Sequence, residues 1–456
     1  MALPSYLSIP TLISIIYLCI PSSSSQTPLT LSLTQHLPPE TTHLPWLQTI
    51  NFLASSSITR AHRLKNPNHN SSSTIQTPLF PHSYGGYSIS LSFGSPPQKL
   101  PFIMDTGSSL VWFPCTHRYK CYDCGFTNKI KTPKFIPNLS SSAKIIGCND
   151  KQCRWVFGSS ETVPCKGDEN CPAYMLQYGS GSTSGILLSE TLDFPEGNVS
   201  DFCVGCSIES TQQPSAGIAG FGRGPSSLPD QLGLKKFSYC LVSHRFDDAP
   251  VSSELVLVRN SSNSTAGSTG MSHTMFQKNP VNSSSAFQDY YYVNLRKITV
   301  GGRAVKIPYE FLVPGTDGNG GTIIDSGTTF TVMDNLPYDL VAKEFENQML
   351  NYSRAVDVES ESGLRPCFNI GGKPVEFPEL TFHFKGGAKL PLPLADYFSF
   401  AGDYGVLCMT IVSFNSIGSN SSSGPSIIIG NYQQQDIYME YDLENERLGF
   451  KKQICK

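Results

Sequence analysis

One short pattern occurs twice in this chain, and it constrains the fold more than any other feature. Phe102-Ile103-Met104-Asp105-Thr106-Gly107-Ser108-Ser109 recurs as Thr322-Ile323-Ile324-Asp325-Ser326-Gly327-Thr328-Thr329. A second pair follows in the same order. Gly217-Ile218-Ala219-Gly220 ends 115 residues after the first Asp, and Ile427-Ile428-Ile429-Gly430 ends 105 after the second. Two motifs repeated in order at similar spacing predict a duplicated lobe. In each copy an apolar run reads as a buried strand that delivers a carboxylate into a tight turn. Gly107 and Gly327 permit the turn and leave room beside the acid. Ser108 and Thr328 carry hydroxyls that can donate to the carboxylates. A pseudo-two-fold relation between the halves would bring Asp105 and Asp325 together.

The rest of the chain reads as β-rich. Tyr87 to Phe93 alternates apolar and polar residues and stops at Gly94-Ser95-Pro96-Pro97. Tyr291 to Val300 is β-branched and aromatic, and Leu380 to Phe384 alternates again. The best helical spacing runs from Leu336 to Leu350, through Leu340, Val341, Phe345 and Met349. With 38 glycines and 33 prolines in 456 residues, long helices are disfavoured. Residues 260 to 285 are polar and low in complexity, and read as a solvated connection between the halves.

The N-terminus carries an apolar stretch, Leu7 to Ile20, then Ser22 to Ser25. It reads as a signal peptide over residues 1–25, being too short to span a bilayer. No later segment predicts a membrane span or lipid anchor. Eight Asn-x-Ser/Thr sequons agree with secretion: Asn70, Asn138, Asn198, Asn260, Asn263, Asn282, Asn351 and Asn420. Thirteen cysteines follow the presumed signal: Cys115, Cys121, Cys124, Cys148, Cys153, Cys165, Cys171, Cys203, Cys206, Cys240, Cys367, Cys408 and Cys455. In an oxidising compartment the expectation is disulfides, at most six, with one thiol left over. A zinc site at Cys115, Cys121, Cys124 and His117 lacks regular ligand spacing, so no metal is expected. The net charge of −3 gives no sign of nucleic-acid binding. Residues 26–80 hold three bases and one acid ahead of an acidic remainder, which fits either a removable segment or a linker.

These motifs resemble those of the pepsin-like aspartic proteases, and the Cys115–Cys171 insertion and Gly301-Gly302 resemble the plant nepenthesin-like members. The resemblance covers about residues 84 to 450. It implies a mainly β, bilobal fold: two pseudo-two-fold-related, β-barrel-like lobes around a central cleft. It implies that Asp105 and Asp325 are the catalytic pair, supported by Thr106, Gly107, Ser108, Ser326, Gly327 and Thr328. Tyr178 and Gly179 match the tip of the flap that covers substrate, and Trp112 matches the tryptophan supporting that tyrosine. The implied organisation is a pro-segment at 26–80, an N-terminal lobe at 81–259, a connection at 260–289 and a C-terminal lobe at 290–456. The implied product is a plant zymogen, secreted to the apoplast or cell wall or sent to the vacuole. It would act as a monomer on polypeptides in acid, without a cofactor. The alternative on the same fold is a non-catalytic inhibitor of cell-wall-degrading glycosidases; intact turns at both acids favour the protease. A glycosidase pair would not need matched Asp-Thr/Ser-Gly turns.

Overall fold

The computed structural model describes residues 29–36, 46–65, 86–124, 132–157, 169–178, 181–194, 197–243, 252–259, 270–280, 285–371, 376–401, 405–414 and 424–456. The signal segment, Gly179, Cys165, Asn70, Asn260, Asn263, Asn282 and Asn420 lie outside these. Among the remaining sequons, Asn138, Asn198 and Asn351 are exposed.

The duplication appears as the same strand arrangement in each half. In the first, β3 (Gln98–Asp105) ends on the acid, and Gly217–Gly220 runs parallel to it with Gly220 opposite Asp105. The outgoing strand β4 (Trp112–Pro114) lies on the other side of that strand, Trp112 opposite Ile218. In the second, Ile427–Ile429 runs parallel to Thr322–Ile324 and antiparallel to Thr331–Met333. Residues 102–105, 217–220, 322–324 and 427–429, which meet at these crossings, are all buried, which is why they read as continuous apolar runs rather than alternating ones. Small residues are required there. A Cβ on Gly220 would stand 2.2 Å from the Ser109 carbonyl oxygen, and one on Gly430 2.3 Å from that of Thr329.

A sheet of fifteen strands joins the two halves. Lys236–Cys240 of the first half pairs with Ile437–Asp442 near the C-terminus, and the Cys240–Cys455 disulfide closes that seam. Phe237 stacks on Tyr441 across it, ring centroids 4.3 Å apart. The leading strand β1 (Leu29–His36) is inserted between Ser252–Val258 and β2 (Gly86–Phe93). Residues far ahead of the Asp105 turn therefore complete the middle of the sheet. Helix α1 (Trp46–Lys65) follows and packs Ile50, Leu53, Ala54, Ile58 and Ala61 against Tyr290, Tyr292, Ile323 and Phe330.

Two expectations change. The helix runs Asn335–Gln348 and buries Val341 and Phe345, but Leu336, in its first turn, faces solvent, as does Leu350 beyond its end. The segment read as a solvated connection contains a strand, Ser272–Met275, paired with Arg447–Lys452. Phe276 then packs on Tyr291 and Tyr441, giving this stretch a place in the core that its composition hides.

The disulfides pair Cys115–Cys206, Cys121–Cys124, Cys153–Cys171 and Cys367–Cys408 besides Cys240–Cys455. Cys148 is also disulfide-bonded. Cys203, a disulfide candidate by sequence, is instead a free, buried thiol. Its near neighbour Cys206 bonds Cys115, because β4 and Val199–Thr211 lie side by side. Burial pushes the Cys203 thiol up to about 12, so it is a poor nucleophile.

Asp396 is buried in the C-terminal half with one carboxylate oxygen, Oδ2, lacking a hydrogen-bond partner among the described residues. Burial first, then the charge of Asp436, raise its pKa well above the ordinary value, against the opposing pull of Lys452. In the folded state it therefore keeps its proton to a higher pH than in the unfolded chain. The stability this gives is complete below the ordinary carboxylate pKa and is lost as pH rises toward the raised value, at about 1.4 kcal/mol per pH unit. Asp396→Asn should leave the melting temperature in acid nearly unchanged and raise it near neutrality. Equal shifts at both pH values would remove this account.

Candidate active site

Asp105 and Asp325 face each other where the two turns meet, 1% and 0% exposed. The turns are interlocked. The Thr106 N–H donates to Ser326 Oγ at 3.1 Å, and the Ser326 N–H donates to Thr106 Oγ1 at 2.9 Å. Ser326 Oγ also donates to the Met104 carbonyl, tying the second turn to the first Asp strand. Each acid is oriented by its own turn. Gly107 N–H and Ser108 Oγ donate to Asp105 at 2.9 and 2.6 Å; Gly327 N–H and Thr328 Oγ1 donate to Asp325 at 2.8 and 2.5 Å. The glycines are needed for approach. A Cβ on Gly107 would lie 2.7 Å from Asp325 Oδ1, and one on Gly327 2.4 Å from Asp105 Oδ1.

The first half also brings Trp112 to Tyr178. The indole Nε1–H donates to the tyrosine hydroxyl at 2.7 Å, and both rings are buried. Tyr178 ends a strand, Tyr174–Tyr178, that pairs with Gly181–Asp193 as a hairpin beside the acids. Helix α1 touches that hairpin strand.

Arg60, on α1, is the residue that the motifs did not reveal. It is 3% exposed and bridges both acids. Its Nη2 donates to Asp105 Oδ1 at 2.6 Å and its Nε to Asp325 Oδ2 at 2.7 Å. The Nε also reaches Thr328 Oγ1 at 3.0 Å, and Nη2 reaches Asp325 Oδ1 at 3.2 Å. Ser57, one turn earlier, accepts the Phe330 N–H at 2.7 Å and donates to the Leu53 carbonyl. Asn51 donates to the Glu361 carbonyl. The helix therefore occupies the space above the acids and is pinned along the second half. A basic cluster, Arg60, Arg63 and Lys65, was the sequence signal available for it.

The acids differ electrostatically. For Asp105, burial outweighs the lowering effect of Arg60, Asp325 adds to the rise, and its pKa reaches about 6. Burial also pushes Asp325 up, but the Arg60 charge and the hydrogen bonds from Arg60, Thr328 and Gly327 hold it below the usual carboxylate range. Below about pH 6 the pair holds one proton, on Asp105, with Asp325 ionised against the guanidinium. Among the described residues no cluster of His, Cys, Asp and Glu could hold a metal.

Family models described as "Xylanase inhibitor N-terminal" and "Xylanase inhibitor C-terminal" match residues 87–257 and 290–452. Aspartic proteinase nepenthesin-2 of Nepenthes gracilis is 36% identical over 392 residues, covering 84% of this chain and 81% of its own length. Aspartyl protease family protein 2 of Arabidopsis thaliana is 30% identical over 379 residues, covering 81% and 71%. Among solved structures, edgp matches with a TM-score of 0.61 at 18% identity, covering 82% of this chain and 92% of that one. Basic 7S globulin from soybean matches at 0.58 and 19%, covering 80% and 93%. These two carry the fold alone, the mainly β bilobal pepsin architecture. Duplicated turns, paired acids and relatives at this identity together place the chain in the plant pepsin-like aspartic protease family, in its nepenthesin-like group.

Proposed function

We propose that this chain is the latent precursor of a secreted aspartic endopeptidase that cleaves polypeptides in acid. The observation that carries the reading is the clasp of Arg60 on two carboxylates presented by duplicated turns. Residues 26–80 act as the pro-segment, and α1 fills the cleft that a substrate would use. Departure of α1 leaves Asp105 and Asp325 adjacent without a counter-charge, so they hold one proton between them. The ionised carboxylate then takes a proton from a water bound between them. The protonated one donates to the peptide carbonyl, and water attacks directly with no acyl-enzyme. Tyr178, held by Trp112, closes over the peptide. Turn hydroxyls Ser108 and Thr328 keep each carboxylate pointed at the shared position.

Non-catalytic binding of a glycosidase is the second reading, and the names of the matching family models favour weighing it. Both acids and all their orienting donors are in place, which a pure inhibitor does not require. The test is to acidify the secreted protein to about pH 4 and follow cleavage of a denatured protein with and without pepstatin. Pepstatin-sensitive cleavage is expected, with the new N-terminus beyond α1. A chain freed of α1 that cleaves nothing, yet binds a xylanase, would replace this reading with the inhibitor one.

A further inference from the structure

The two catalytic turns are backed differently. Behind the second, Asn431 is fully buried; its N–H donates to the Thr328 carbonyl at 2.7 Å and its Nδ2 to the Ser326 carbonyl at 2.9 Å. Behind the first stand Gly222 and Gly224, which have no side chains to offer. Their N–H groups donate to the Ser108 carbonyl at 2.8 Å and to Ser109 Oγ at 3.1 Å. The missing side chain comes from across the molecule. Asp289 accepts the Arg223 N–H on its carbonyl at 2.8 Å and lays its carboxyl over Gly224. A Cβ on Gly224 would stand 2.6 Å from both Asp289 Oδ1 and Ser109 Oγ. The Ser109 hydroxyl and this carboxyl thus face each other over Gly224, and the hydroxyl pulls the carboxyl pKa down. Ser109 follows Ser108, whose hydroxyl orients Asp105.

We propose that Asp289 is a positioning residue for the hydrolytic reaction, holding the Asp105 turn in place through Ser109. This rests on the protease reading above. The carboxyl is suited to acid. Burial raises it to about 6, so below that pH it supports Ser109 without adding a third negative charge near the pair. Arg223 does not neutralise it by its side chain, which pairs with Glu446 at 2.6 Å and covers the rings of Phe276 and Tyr291. Tyr290 and Tyr291, the adjacent titratable groups, keep their protons because burial raises both. As pH climbs through about 6, Asp289 gains charge and the support is altered.

The test uses the processed enzyme, with active sites counted by pepstatin titration and folding checked by thermal melting. Asp289→Ala should lower kcat about 10- to 100-fold, as expected for a displaced catalytic group, with KM changed less than about twofold. Asp289→Asn, neutral at every pH, should restore most of that loss at about pH 4 and carry kcat to higher pH than the parent. The proposal is overturned if Asp289→Ala keeps the parent kcat, if its loss lies in KM alone, or if the Asn variant matches the parent's upper pH limb. Should the Ala variant not fold, that upper limb decides alone. A parent enzyme that cleaves nothing ends the protease reading and this proposal with it; an active parent indifferent to Asp289 ends only this proposal.

Discussion

Replacing Arg60 by alanine should let the unprocessed chain open and cleave at a higher pH than the parent. The guanidinium is the only cation the structure places on the two buried acids among the described residues. Removing one partner of a buried ion pair costs about 3–5 kcal/mol, because the partner's charge is left uncompensated. Set against α1 docking, that shifts the closed-to-open ratio by roughly two to three powers of ten or more. The direction of the pH effect follows from Asp325. Its pKa is held down in the closed state, so its contribution to closure is present above its open-state pKa and lost as pH falls through the lowered value. Asp105 is raised to about 6 by burial and by Asp325, against the lowering pull of Arg60, so its attraction to the guanidinium is also lost as pH falls through that value. Acid opening is thus driven through both acids, Asp105 losing its charge first. Arg60→Lys keeps a charge but cannot reproduce the planar fork that reaches both acids, so it should fall between parent and alanine. The readout is the pH at which unprocessed protein first cleaves a quenched peptide. An alanine variant that opens at the parent's pH would show that α1 is held by its apolar face and the Ser57 and Asn51 hydrogen bonds, without the clasp.

Asp105→Asn and Asp325→Asn should each remove nearly all hydrolysis, by about 10²- to 10⁴-fold in kcat, the usual scale for a lost acid–base group. An amide can neither take the proton from water nor hold the charge that Asp325 carries. The double variant should be scarcely worse than either single one, because the pair acts as a unit. Pepstatin binding and the melting curve should show whether the site is still formed. The two variants should differ before activation. Asp325→Asn removes the acid that Arg60 contacts through both Nε and Nη2, whereas Asp105→Asn removes one contact, so the first should loosen α1 more. Either single variant retaining a tenth of parental turnover would rule out the shared-proton mechanism.

The sequence by itself determined the paired acids and the frame around them. The reason is locality: Gly107 and Ser108 donate to an acid two and three residues away, and Gly327 and Thr328 do the same. A motif of eight residues therefore encodes the whole orientation of each carboxylate, and its repetition encodes the partner. Strands whose neighbours bury both faces were legible for a similar reason, since their apolar runs need no knowledge of what covers them. Other features were set by what packs alongside. Leu336 has helical spacing yet faces water, because the first turn points Pro337 and Tyr338 inward instead. Phe276 sits in a polar stretch yet joins the core because Tyr291 and Tyr441 stand next to it. Cys203 and Cys206 are both disulfide candidates by sequence, but a strand alignment gives Cys206 to Cys115 and leaves Cys203 free. Arg60 lies 45 residues from one acid and 265 from the other, and Asp289 supports a turn 180 residues before it. No periodicity spans such distances. Only the folded chain, by burying a cation against two carboxylates and a carboxyl against a glycine-lined gap, decided which charges meet.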